Sequence, residues 1–157
     1  MNWQEVCDNP LLKDLPFKIE LNEWGQIVMT PASNKHGHYQ SNIIRYLGQE
    51  ISTGDLIAEC SVQTPEGVKV ADVVWLSDQF LKAHGYHTPY MQAPELCIEI
   101  LSPSNTNEEM QHKMQLYFTA GAKEVWLCDE SGQLRFFDPG GELERSRLFP
   151  NFPAQLP

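Results

Sequence analysis

PELCIEILSPSNTNEEMQHKMQLYFTAGAKEVWLCD, residues 94–129, switches period twice and decides the fold. Glu95–Leu101 is an apolar run of strand length. Ser102-Pro103-Ser104-Asn105-Thr106-Asn107 breaks that run and offers several N-cap residues. Glu108 and Glu109 then fall in a first helical turn, where carboxylates complement the helix dipole. Met110, Lys113, Met114 and Tyr117 recur at helical spacing, as do Leu116 and Ala120, and Gly121 stops the helix. Glu124–Asp129, EVWLCD, is strand again.

Working outward, Leu56–Gln63 and Val68–Leu76 read as strands joined by the turn Thr64-Pro65-Glu66-Gly67. Ahead of them, His36–Ile51 carries Ile43, Ile44, Leu47 and Ile51 at helical spacing, and Gly54 closes that helix. Gly25–Thr30 is a short strand and Pro31–Lys35 a turn. Residues 77–94 begin with a helical turn and end as a loop. Beyond the decisive stretch, Leu134–Asp138 is a strand, Pro139-Gly140-Gly141 turns, and the tail is proline-rich. The order α-β-β-β-α-β-β predicts an α/β domain with a central mixed β-sheet flanked by helices. Residues 1–24 are expected to form a leader packed on a single domain spanning 1–157, with a short helical turn near the start.

A chain of 157 residues with 41% hydrophobic and 20% charged residues can bury one core and is not a disordered polymer. No run is long and apolar enough for a membrane span, and the N-terminus lacks signal-peptide character, so a cytoplasmic location is expected. Cys7, Cys60, Cys97 and Cys128 form no CxxC pair and read as reduced thiols. A formal charge of −10 argues against a broad basic surface for nucleic acid. It is compatible with carboxylates gathered around a cation. No GxSxG elbow and no phosphate-binding glycine loop occurs.

Two acids sit inside apolar strands, where ionised groups are costly unless paired or bound to a cation. Period two puts Asp72 with Val70 and Val74, and Glu99 with Cys97 and Leu101. If their strands are neighbours, Asp72 and Glu99 share a face, and a hard cation would relieve their repulsion. Asp72, Glu99 and the backbone carbonyl of Ile100 are therefore the candidate ligands for Mg2+ or Mn2+. Lys113, on the following helix, is the candidate for steadying water and phosphate. Taken singly, each has a blander reading: a strand acid paired or solvated, a helical lysine exposed. Glu109, one turn before Lys113, either pairs with it or reaches a second metal. Glu59 is either a satellite acid or solvent-facing. His36 either reaches the active face from its helix end or is a capping histidine. Tyr117 packs over the lysine stem or into the core.

The PELCIEILSPSNT run, the helix with Lys113 and Tyr117, and AGAKEVWLCD together resemble the bacterial Uma-type endonuclease family of the PD-(D/E)xK, restriction-endonuclease-like superfamily. The likeness spans roughly His36 to Asp138. It implies Asp72 as the first metal-binding acid and Glu99 as the second. The usual lysine position, two residues after the glutamate, is Leu101, and Lys113 matches the helix position to which the lysine has moved. Ala71 stands where a proline usually precedes the first acid. The implied activity is Mg2+-dependent endonuclease cleavage of DNA. The alternatives are a catalytically inactive, dimeric interaction module on the same fold and a metal hydrolase of small phosphoesters. A homodimer would cover exposed sheet edges.

Overall fold

The computed structural model describes all 157 residues. Helix α1 (Trp3–Asp8) is closed by a capping box: Asn2 accepts from the Glu5 N–H at 2.9 Å, and Glu5 accepts from the Asn2 N–H at 2.7 Å. A hairpin follows, β1 (Phe17–Leu21) against β2 (Ile27–Pro31). Helix α2 (Asn34–Glu50) begins two residues before the expected His36, because the Ser33 hydroxyl caps it and accepts from the His36 N–H at 3.1 Å. Then come β3 (Asp55–Thr64), β4 (Gly67–Leu76), α3 (Asp78–His84), β5 (Leu96–Ile100), α4 (Asn107–Thr119), β6 (Glu124–Cys128), β7 (Leu134–Asp138) and β8 (Gly141–Leu143). The mixed α/β class is as expected, while the order α-β-β-β-α-β-β omits three strands: β1 and β8, which the sequence does not mark, and β2, which it reads as the short strand Gly25–Thr30 outside that order. β1 and β8 are short, and their turns fall where few apolar residues mark a period. No helix is long and apolar enough to cross a membrane.

Six strands form one sheet in the order β3-β4-β5-β6-β7-β8; β5 and β6 are parallel and every other neighbour pair is antiparallel. Strand alternation divides the core into two layers. On one face Val74, Cys97, Val125 and Leu127 pack against Met110, Met114 and Tyr117 of α4. On the other, Val73, Leu96, Ile98 and Trp126 pack against Ile43 and Leu47 of α2 and against Phe149, Phe152 and Leu156 of the tail. Each large apolar side chain so buried stabilises the fold by about 1.5–3 kcal/mol. The proline-rich tail is thus part of the core, pinned by Glu124. That buried carboxylate accepts from Ser146 Oγ at 2.6 Å, the Arg147 N–H at 2.7 Å and Trp126 Nε1 at 3.3 Å.

The β1–β2 hairpin lies against β4, with Val6, Leu21 and Val68 between them. Gly67 permits this approach: its φ is +89°, and a Cβ there would stand 2.3 Å from the Leu21 carbonyl oxygen. Cys60, Cys97 and Cys128 are free and buried, and burial pushes the Cys60 and Cys128 thiols up to about 12. They are unreactive packing groups.

The sheet is interrupted around one residue. The β3–β4 register runs from Asp55↔Leu76 to Thr64↔Gly67 but omits the pair that would join Glu59 to Asp72. On its other edge β4 meets β5 only from Trp75↔Leu96 to Val73↔Ile98. Meanwhile β5 continues along β6 as far as Ile100↔Cys128. Two backbone groups freed at this split find side-chain partners, as buried polar groups must. The Ile100 N–H donates to Asp72 Oδ2 at 2.7 Å, and Gln40 Nε2 donates to the Asp72 carbonyl at 2.8 Å.

Candidate active site

The split opens a cavity of about 390 Å³ lined by residues of the hairpin, α2, β4, β5 and α4. Asp72 and Glu99 are its floor, 1% and 3% exposed. The expectation that they share a face rested on strand adjacency, and β4 and β5 are neighbours. One ammonium joins them: Lys18 Nζ lies 3.2 Å from Asp72 Oδ1 and 2.9 Å from Glu99 Oε2. Lys113 arrives from α4, 3.0 Å from Glu99 Oε1 and 2.9 Å from Glu20 Oε2. Tyr117 Oη donates to Glu99 Oε1 at 2.6 Å, and His36 Nε2 lies 3.3 Å from Asp72 Oδ2.

Two of these residues, Lys18 and Glu20, escaped the sequence reading, which named no site residue before His36. They occupy alternate positions of β1, so both face the cavity. Glu20 ties the hairpin down by accepting from the Val70 N–H at 2.6 Å, and it is the carboxylate partner of Lys113. Glu109, which was expected to pair with Lys113 or reach a second metal, caps its own helix instead. It accepts from the Thr106 N–H at 3.3 Å while Thr106 Oγ1 accepts from the Glu109 N–H at 3.1 Å. It also lines the cavity, where no ion pair joins it to Lys113. Glu59 does not join the site. It is exposed on β3, with a left-handed φ of 55°, and borders two other grooves. Ile100 lines the cavity and is engaged through its N–H. Tyr117 packs its ring in the core, one of its two expected placements, and its hydroxyl, for which no role was expected, donates to Glu99.

Three carboxylates therefore face two lysines and one histidine in a half-enclosed place. For Asp72, burial works against ionisation, but the Lys18 charge and the His36 and Ile100 hydrogen bonds outweigh it and hold its pKa well below the carboxylate range. Glu20 is likewise lowered: burial opposes, Lys113 and Lys18 prevail. Glu99 goes the other way. Burial raises its pKa, the Asp72 and Glu20 charges add to this, and the two lysines only partly compensate. His36 is raised, chiefly by its hydrogen bond to Asp72, against desolvation. Burial pushes the Tyr117 hydroxyl well up, with Glu99 and Glu20 adding, so it remains a donor.

These shifts predict acid sensitivity. A carboxylate lowered in the fold adds stability that is complete above its unfolded pKa, about 4, and is lost as pH falls below it. Asp72 and Glu20 contribute in this sense, and Glu99 in the opposite one. Urea midpoints should therefore fall from pH 5 towards pH 3, and fall less steeply in Asp72→Asn. Equal slopes in parent and variant would contradict the assignment of Asp72.

The donor set suits a hard divalent ion. Two carboxylate oxygens already flank one cation, and the cavity beside them leaves room for water. No group of three or more His, Cys, Asp or Glu side chains stands in metal-ligating geometry. Asp72 and Glu99 are the two side chains there that could hold such an ion, with water completing its shell.

The six-stranded mixed sheet with helices packed on its faces defines a mixed α/β domain. The chain belongs to the Uma2 family, described as "Putative restriction endonuclease", which it matches over residues 9–155. Among solved structures it is similar to one from Anabaena variabilis, described as "a putative nuclease belonging to DUF820". That likeness has a TM-score of 0.66 at 19% identity and covers 77% of this chain and 72% of the other, which shows a shared fold. No curated protein matches the chain.

Proposed function

We propose that this protein is a divalent-metal-dependent endonuclease acting on DNA, with Asp72 and Glu99 holding Mg2+ and Lys113 assisting the attack of water. The observation that carries this reading is the meeting of Asp72 and Glu99 at the split between β4 and β5, with one cation already between them. When bound, a divalent ion would supply Lewis-acid stabilisation of the charge that develops on a phosphodiester under attack by water. The protein's part is orientation. The Ile100 N–H and His36 fix one oxygen of Asp72, and Tyr117 and Lys113 fix one oxygen of Glu99. Lys113 donates to Glu20 Oε1 at 3.2 Å, pairs with Glu99 Oε1 at 3.0 Å and lines the cavity, where its ammonium would meet the incoming water or a phosphate oxygen. Because the whole chain is acidic, contact with DNA would be local to this cavity and its lysines.

One observation favours a second reading, an inactive nuclease-fold module: Lys18 already bridges the acid pair. Cleavage assays separate the two. Purified protein should nick plasmid DNA or cut oligonucleotides in Mg2+ or Mn2+ and stop on chelation. No cleavage of duplex, single-stranded or RNA substrates with either ion would favour the inactive module.

A further inference from the structure

The two acids divide their oxygens in the same way. On Asp72, Oδ2 is engaged by the Ile100 N–H and His36, while Oδ1 meets only Lys18. On Glu99, Oε1 is engaged by Tyr117 and Lys113, while Oε2 meets only Lys18. The locked oxygens orient the carboxylates, and the remaining two converge on one point, which Lys18 Nζ fills.

We propose that Lys18 is a resident cation occupying the seat between Asp72 and Glu99, which a divalent ion must displace, so that this one side chain sets the metal affinity. The inference rests on the metal-site reading above. Both cations need the same two oxygens, and a metal at about 2.1 Å from each leaves no place for an ammonium carrying like charge. Lys18 is held by these two acids alone. Its four-carbon arm springs from β1 at the cavity wall, and its side chain is 13% exposed. Lys113 uses the opposite oxygen of Glu99 and is anchored by Glu20, so it stays in place during the exchange. The metal-free protein thereby keeps two buried acids paired.

Calorimetric titration with Mn2+ tests this. Lys18→Met should bind Mn2+ at least about tenfold more tightly than the parent, because no like charge has to be expelled. Parent binding with equal or weaker binding by the variant would overturn the exchange and leave the metal site standing. Absence of binding by both would overturn both readings. A second measurement needs no variant. Reductive methylation of the parent, located by mass spectrometry, should modify Lys18 faster when Mn2+ is added. An unchanged or slower rate at Lys18, at Mn2+ concentrations that saturate the titration, would equally overturn the exchange.

Discussion

Asp72→Asn should reduce metal-dependent DNA cleavage by about a thousandfold or more while the chain still folds. The amide keeps an oxygen to accept from the Ile100 N–H, so the break between β4 and β5 remains satisfied. What disappears is the negative charge that faces Lys18 now and, in the reading proposed here, a divalent ion. Loss of Mn2+ binding should accompany loss of cleavage, with far-ultraviolet circular dichroism unchanged. A variant that cuts as well as the parent would remove Asp72 from the chemistry.

Glu20→Ala should be the most damaging change in the hairpin, destabilising the protein by about 3–5 kcal/mol. It strips Lys113 of one carboxylate and leaves the buried Val70 N–H without its acceptor. Glu20→Gln separates these effects. The amide oxygen still accepts from Val70, so much of the stability should return, while Lys113 keeps only Glu99 as a charged partner. Denaturant titration of both variants reads the first effect, and cleavage by the glutamine variant reads the second. If Glu20→Ala unfolds at the parent's denaturant concentration, the hairpin is not held as described.

Much of this was legible in the sequence for identifiable reasons. The β5–α4–β6 unit announces itself because two apolar runs of strand length flank a segment in which Met110, Met114 and Tyr117 recur at helical spacing. The acids stand out because a charge in such a strand needs a partner. That they share a face followed from period two, and that they meet followed from strand adjacency, which the sequence left conditional. FKIEL failed to announce itself for the opposite reason. Its charged residues, Lys18 and Glu20, alternate with apolar ones, and a charged strand face ordinarily means solvent. Here that face is turned inward onto other charges. The signal available was a lysine and a glutamate two apart, ahead of the turn NEWG and the strand IVMT. For Glu109 the local signal is the capping box. Thr106 and Glu109 have capping-box spacing, and a glutamate that closes a box is committed to its own helix end. The tail hid its role because Phe149, Phe152 and Leu156 follow no regular period, although all three are buried.

The most direct measurement is a crystal structure of the protein soaked in Mn2+, read by anomalous scattering. A peak about 2.1 Å from Asp72 Oδ1 and Glu99 Oε2, with Lys18 turned away from both, is the predicted result. Lys18 still bridging the two acids, with manganese bound elsewhere or not at all, would contradict it.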